Sequence, residues 1–279
     1  MVQNAVLCER NRAPIVAGLF YPDGQTQTET AIASFGLKRG TGGAAAAIIA
    51  PHGAWDISGT AAGAAFSAAA GREREGLSRV ALLGTLHNPE AEGIFLSDSA
   101  AFETPLGDLP VDKRLITDLA SCGTLFHIND VPHLEEHGVE VLLPFIKFCF
   151  PRCAIVPVLI SGSRPALISA LARALGVILG PLMAETLVAV SANLSRNAVE
   201  ERARIEAETC VRLLRQNEPG AFSAALRAGC IKPCGGAAIA ALLESGLVMG
   251  KAGEPAREPL IKLKDEDGNT VYYGGIAFY

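Results

Sequence analysis

Several polar residues directly follow apolar runs of the kind that form buried strands. They are His52 after "AAAAIIA" (44–50), His87 after "RVALLGTL" (79–86), and Asn193 and Arg196 at and beyond the end of "ETLVAVSAN" (185–193). An imidazole can bind a transition metal or transfer a proton near neutral pH. Because open α/β sheets bind ligands beyond the carboxyl ends of their strands, we expect chemistry at these positions.

Two further groups have residue types suited to catalysis. His137 and Glu140 stand three residues apart in "HGVE", which places them on one face of a helix and suits acid/base chemistry. Cys234, in "KPCGG", directly precedes an apolar helical segment. A thiol at a helix N-terminus has a lowered pKa, so Cys234 is a candidate thiolate ligand or nucleophile.

Each of these residues also has a structural interpretation, which the residues alone leave open. The histidines could satisfy loop backbone groups, Glu140 could stabilise a helix N-terminus, and Cys234 could be a small residue at a helix start. Trp55 could belong to the core and Asp56 to a turn. His127 and His133 follow no strand end and are predicted to be loop or surface residues.

The positioning elements alternate between strands and helices. Strands are predicted at 44–50, 79–86, 93–98, 154–161 and 185–193, and helices at 59–71, 111–121, 136–150, 164–179, about 196–216, 220–229 and 235–246. Pro144 predicts a kink or break in the third helix. The last 21 residues contain two strand-like runs around Asp-Gly and Asn, which indicates a hairpin. The pattern predicts one α/β domain (1–279), with a mostly parallel central sheet flanked by helices and a C-terminal β-hairpin.

Composition restricts the class of protein. The 279 residues are 49% hydrophobic and 19% charged with a net charge of −5, which excludes a disordered chain. Without a basic block or an apolar run of about 18 residues, we expect no nucleic-acid or membrane partner. Seven cysteines, an odd number, and no leader-like segment favour a cytoplasmic protein whose cysteines are mostly small buried residues.

Seven segments, in this order, make the chain resemble the Memo family, also called AmmeMemoRadiSam system protein B. They are "AGLFYP" (17–22), "IIAPHGAWDISG" (48–59), "LLGTLHNP" (82–89), "FETPLGDLPVD" (102–112), "HGVEVLLPF" (137–145), "IVPVLIS" (155–161) and "CGGAAIAALLESG" (234–246). The family is similar to class III extradiol dioxygenases in fold and in the position of its site.

The resemblance implies a metal site. The family patterns P-H-A-G-Y, G-P-S-H-H and C-G-x-G correspond to His52, His87 and Cys234 here. The family segment H-S-x-E corresponds to His137 and Glu140, with glycine in place of serine.

This chain departs from the family at several site positions. The family segment S-S-D-L-S-H-Y corresponds to "SANLSRN" (191–197), so that its aspartate is Asn193 and its histidine is Arg196. Trp55 replaces the tyrosine of P-H-A-G-Y, and Asn88 replaces the second histidine of G-P-S-H-H. A fixed positive charge therefore replaces one histidine of the site.

The donor types predict which cofactor would bind. Two imidazoles and a thiolate form a soft ligand set that suits Cu or Zn and can hold Fe. The triad of Fe(II) oxygenases has a carboxylate instead, for which Glu140 is the candidate. Arginine cannot bind a metal but suits an anionic substrate. We therefore expect a transition metal, Fe or Cu with Zn as an alternative, and substrate contacts from Trp55, Asn193 and Arg196.

Three functions follow from these residues. The first is a metal-dependent redox or dioxygenase-type enzyme, with His137, Glu140 and Arg196 as catalytic residues and an unidentified small, anionic molecule as substrate. The second is a non-catalytic binding protein for partner proteins of the radical-SAM-linked system, because Arg196 replaces a site histidine. The third is metal-free thiol chemistry at Cys234.

Overall fold

The computed structural model describes residues 10–88, 92–257 and 259–279. The strands are β1 (Ala47–Ala50), β2 (Arg79–Leu86), β3 (Ile94–Leu96), β4 (Ala101–Phe102), β5 (Leu109–Pro110), β6 (Phe126–Ile128), β7 (Ala154–Ser161), β8 (Thr186–Ser191), β9 (Ser195–Asn197), β10 (Gly253–Pro255), β11 (Ile261–Lys264), β12 (Thr270–Tyr273) and β13 (Ile276–Phe278). The α-helices are α1 (Gln25–Ser34), α2 (Trp55–Ala69), α3 (Lys113–Ala120), α4 (Val131–Glu135), α5 (His137–Glu140), α6 (Leu143–Cys149), α7 (Pro165–Leu179), α8 (Glu200–Gln216), α9 (Pro219–Arg227) and α10 (Gly236–Glu244). Two 3₁₀ helices, Ala70–Glu75 and Gly180–Glu185, follow α2 and α7.

The central sheet has eight strands in the order β10-β13-β1-β8-β2-β7-β3-β6. β1, β8, β2 and β7 are parallel and adjacent, and nearly all their residues are buried. Helices cover both faces of such a sheet, which explains the continuous apolar runs. Antiparallel pairs join β13 to β1 and β3 to β7. The predicted α/β fold with a mostly parallel sheet is confirmed, and the carboxyl ends of β1, β2 and β8 meet at one edge.

Helix α2 begins at Trp55, four residues before the predicted start. The hydroxyl of Ser58 donates to the carbonyl of Gly53, which holds the first turn against the end of β1. A Cβ atom at Gly59 would lie 2.3 Å from the ring of Phe35. Gly59 therefore provides space for helix packing and does not start the helix.

The predicted helix 136–150 is two helices, α5 and α6, as Pro144 indicated. Pro144 lies in the first turn of α6, where its missing N–H would have no helical partner. The break separates the α5 residues, which face the sheet edge, from the buried apolar residues of α6.

The C-terminal hairpin is confirmed and is part of a larger unit. β11 and β12 pair in antiparallel fashion, and β12 also pairs with β9, so that Arg196 lies opposite Val271. The prediction that a helix begins at about residue 196 is therefore wrong, and α8 starts at Glu200. β13, at the chain end, joins the central sheet beside β1.

One helical stretch, Pro165–Glu185, is long and apolar enough to cross a membrane by length and composition, although the sequence predicts no such helix. Buried core helices satisfy the same criterion. Several side chains of α7 are buried, and α7 packs against α10. The absence of a membrane partner stays a prediction.

The remaining histidines and cysteines follow the predictions only in part. His127 is exposed, as predicted, but His133 is fully buried and its Nε2 lies 3.1 Å from the carbonyl oxygen of Phe95. The prediction of a surface position for His133 is wrong because α4 packs onto the sheet. Cys149, Cys153 and Cys210 are buried and Cys122 and Cys230 are exposed, while Cys8 lies outside the described residues.

Candidate metal centre

Three side chains converge at the carboxyl edge of the sheet. His52 follows β1, His87 directly follows β2, and Cys234 precedes α10. One donor atom from each lies within 4.8 Å of the other two. The Nε2 atom of His87 is 2.8 Å from Sγ of Cys234, and the two imidazole centroids are 5.4 Å apart. The structure therefore brings together the three predicted metal ligands.

The orientation of His52 is fixed by β8. Its Nδ1 lies 2.8 Å from Oγ of Ser191, and that hydroxyl donates its proton to the carbonyl of Gly138. Because a hydroxyl has one proton, Oγ must accept from Nδ1–H of His52. The Nε2 atom of His52 is then the nitrogen left to bind a metal when it carries no proton.

The orientation of His87 is fixed by Glu136, whose carboxylate is nearly fully buried. Both carboxylate oxygens lie 2.9 Å from Nδ1 of His87, and they also accept the backbone N–H groups of His87 and Gly138. A Cβ atom at Gly138 would lie 2.9 Å from Oε1 of Glu136. Glycine at position 138 therefore leaves room for the carboxylate beside the imidazole.

Charges in the cluster depend on one another. The hydrogen bond to Cys234, and then that to Glu136, raise the pKa of His87 to about 10. Burial raises the pKa of Cys234, but the charges and hydrogen bonds of His52 and His87 lower it by more, to about 6. Burial likewise opposes ionisation of Glu136, yet hydrogen bonding to His87 lowers its pKa to about 2. At neutral pH the metal-free cluster therefore holds a thiolate and an imidazolium.

His137 lies beside this cluster and faces a cavity. Its ring stacks on His87 with the centroids 5.2 Å apart. Burial, and then the charge of His52, lower the pKa of His137 to about 4, so the imidazole is neutral at pH 7. Its Nδ1 is 3.5 Å from Oε1 of Glu136. An Nδ1–H tautomer would direct its proton at that carboxylate and leave Nε2 as the basic atom.

The cavity, which we call the histidine cavity, has a volume of about 540 Å³. His52, His87, His137 and Cys234 line it, together with Asn193 and Arg196. The side-chain carbonyl of Asn193 accepts the backbone N–H of His52 at 3.1 Å. Asn193 therefore positions a ligand loop as well as facing the cavity.

Arg196 reaches the rim of the histidine cavity but is already paired. Its Nε lies 2.6 Å from Asp265, and an Nη atom lies 2.7 Å from Asp267. These carboxylates belong to the turn of the C-terminal hairpin. The guanidinium that was predicted to hold an anionic substrate is thus neutralised by the chain itself.

Two predicted site residues lie in the core and do not line the histidine cavity. Trp55 is 4% exposed, its Nε1 donates to the carbonyl of Val141, and its ring packs against Phe145. Glu140 is fully buried and accepts hydrogen bonds from Arg12, Tyr21 and two backbone N–H groups. Trp55 is thus engaged by core packing and Glu140 by hydrogen bonds and an ion pair, and the substrate contact of Trp55 and the catalytic role of Glu140 stay predictions.

Two residues that orient the ligands were not singled out in the sequence. Ser191 and Glu136 act through hydrogen bonds to the second imidazole nitrogen of each histidine. The sequence signal for Glu136 is a carboxylate immediately before a histidine at a helix start. As the N-cap of α5, its side chain also accepts a hydrogen bond from the backbone N–H of Gly138.

The donor set fits a soft or borderline transition metal. Once a metal displaces the Nε2 proton of His87, two Nε2 lone pairs and one thiolate would face each other, and each imidazole has its second nitrogen fixed, as in known metal sites. A second group, His87, Glu136 and His137, also has metal-ligand spacing. The oxygens of Glu136 are already engaged by His87 and by backbone N–H groups, so the group with Cys234 fits better.

Comparisons with known proteins identify a family for this chain. Residues 12–258 match the family model described as Memo-like protein. A MEMO1 family protein of Desulfurococcus amylolyticus is 27% identical over 97% of this chain and 99% of its own length. Another, from Pyrobaculum aerophilum, is 29% identical over the same shares of the two chains.

Among solved structures, an uncharacterized protein of Escherichia coli K12 matches 83% of this chain and 99% of its own, with a TM-score of 0.37 and 13% identity. This similarity is too low to bear on function. The family model spans most of the chain, and two relatives align over nearly its full length. The chain therefore belongs to the Memo-like protein family.

Proposed function

We propose that the protein is a metal-dependent enzyme of redox or dioxygenase type, with His52, His87 and Cys234 as ligands to Fe or Cu and with Zn as the alternative. The observation that carries this proposal is the mutual approach of the three donor atoms within 4.8 Å. Both imidazoles present Nε2 to the thiolate because Ser191 and Glu136 occupy their Nδ1 atoms. A hydrogen bond between the thiolate and an imidazolium would require only His87, so the presence of His52 in the same group favours a metal.

Fe or Cu at this position would supply electron-transfer and oxygen chemistry, and Zn would supply a Lewis acid. The chain's own residues divide the remaining tasks. The apolar side chains of Phe20, Ile57 and Val271 line the histidine cavity and exclude water from a bound substrate. His137, neutral at pH 7, accepts a proton from the substrate at Nε2.

The first test is elemental analysis of the full-length protein, purified without chelators from cells grown with added Fe, Cu and Zn. We expect close to one transition-metal ion per chain. A folded sample that holds almost no transition metal, even after reconstitution under anaerobic conditions, would contradict the proposal.

Metal-free thiol chemistry is the second candidate, because Sγ of Cys234 lies only 2.8 Å from Nε2 of His87. In this case His87 holds the proton of the pair and Cys234 acts as a thiolate nucleophile. The rate of Cys234 alkylation against pH distinguishes the two states. A reactive thiolate in metal-reconstituted protein would favour thiol chemistry, whereas a protected thiol favours a ligand role.

The non-catalytic alternative is favoured by Arg196, which is paired with Asp265 and Asp267 where the family has a histidine. In such a protein His52, His87 and Cys234 would lie together without serving catalysis. Replacement of Arg196 by histidine tests this point. A strong increase in metal affinity would support a site weakened by the arginine, and no change would show that position 196 does not affect the metal.

A further inference from the structure

A second cavity adjoins the candidate metal centre. It has a volume of about 300 Å³ and is lined by the loop after β7, the end of α9, the segment 229–233 and the start of α10. Cys234 lines this cavity and the histidine cavity alike. The two cavities therefore adjoin at the same thiol.

The second cavity is cationic. Arg227 and Lys232 line it, and among the residues that the structure describes no aspartate or glutamate does. Both side chains are exposed, and within residues 10–88, 92–257 and 259–279 neither makes an ion pair or a side-chain hydrogen bond. Two cations that no carboxylate neutralises favour an anion, and arginine offers the paired donors that suit a phosphate or carboxylate.

The histidine cavity lacks this property. Its charged lining residues are two cations, Arg196 and Lys264, and two carboxylates, Asp265 and Glu266, so the positive and negative charges balance. The guanidinium of Arg196 is held by Asp265 and Asp267. The positive charge available for an anionic substrate thus lies beyond Cys234, around Arg227 and Lys232.

Neutral hydrogen-bond donors complete the cationic cavity. Ser163 supplies a hydroxyl, and α10 begins in the wall of the cavity at Gly236 with no side chain capping its N-terminus. A volume of about 300 Å³ is at the lower end of the range for small-molecule sites. It suits a charged group and a few attached atoms.

We propose that the cationic cavity binds the phosphate group of a small phosphorylated substrate, whose remaining atoms extend past Cys234 into the histidine cavity. Two unpaired cations favour a dianion over a single carboxylate. The part of this proposal that concerns the reacting end rests on the proposed metal-dependent function. The anion site itself depends only on the cationic cavity and its two free cations.

The test is a calorimetric titration of inorganic phosphate into the full-length, metal-free protein, with acetate as the comparison anion. We expect one saturable phosphate site per chain and weaker binding of acetate. The double variant Arg227→Gln/Lys232→Gln should bind phosphate at least about tenfold more weakly. A matched control is Arg173→Gln/Lys38→Gln, which removes two exposed cations that line neither cavity and should bind as the wild type does.

A second measurement connects the anion to the metal centre. Bound phosphate should slow alkylation of Cys234 by neutral iodoacetamide, followed by mass spectrometry of the Cys234 peptide, in wild type but not in the Arg227/Lys232 variant. No saturable binding, equal affinity for acetate, or equal phosphate affinity in that variant would overturn the proposal. Failure of metal loading would instead overturn only the proposed enzymatic function, because the titration uses metal-free protein.

Discussion

Sγ of Cys234 lies 2.8 Å from Nε2 of His87, although the two residues are 147 positions apart in the chain. The contact requires β2 to end, and α10 to begin, at the same edge of the sheet. In the metal-free protein this distance is a hydrogen bond between a thiolate and an imidazolium. In the proposed metal-bound state the same two atoms would both be ligands, so that one proton would separate the two states.

Metal loading should therefore release a proton. Between pH 6 and 10, the approximate pKa values of Cys234 and His87, the pair holds one proton that a bound metal must displace. Apparent metal affinity should rise about tenfold per pH unit in this window, and more steeply below pH 6 where the thiol is also protonated. Calorimetry in buffers of different ionisation enthalpy measures the released protons. Affinity independent of pH from 7 to 9 would contradict this picture.

Removal of the thiol should abolish tight metal binding. We expect Cys234→Ala to lose most of its metal in elemental analysis, because two imidazoles alone remain. Cys230→Ala is the matched control, since Cys230 is an exposed cysteine four residues earlier and outside the donor group. Equal metal content in Cys234→Ala and Cys230→Ala would remove Cys234 from the ligand set.

Glu136 should raise metal affinity without contacting the metal. Its carboxylate fixes the Nδ1 proton of His87, and replacement of such partners typically lowers metal affinity about 10- to 100-fold. Glu136→Gln should show this loss in competition titrations with a chromophoric chelator. Glu135→Gln, which changes the exposed neighbouring residue, is the control and should leave affinity unchanged. A loss of the same size in both variants would indicate a general charge effect.

The sequence predicts the sheet, and the convergence of two histidines at its edge, because both depend on local patterns. Continuous apolar runs identify β2 and β7 with their observed bounds, and residues behind strand ends must meet at one edge. His52 and His87 are examples. Cys234 could be placed beside them only because of the helix that follows it and the family resemblance.

The sequence does not show which side chains a distant segment engages. Glu140 has the spacing of an acid/base residue relative to His137, but Arg12, 128 positions away, and the backbone at residues 15 and 16 occupy its oxygens. Arg196 likewise forms an ion pair with Asp265 in the hairpin turn. Such pairs arise from chain topology, and neither periodicity nor residue type within a segment reveals them.

Glu140 should therefore matter for stability and not for chemistry. It forms an ion pair with Arg12 at 2.8 Å, and both side chains are fully buried. Removal of one partner leaves the other charge buried, so Glu140→Gln should lower the free energy of unfolding in urea by about 3 kcal/mol. The double variant Arg12→Met/Glu140→Leu should recover part of this loss, because no isolated charge remains. Folded Glu140→Gln should keep its metal, and normal stability with lost metal would instead place Glu140 at the metal centre.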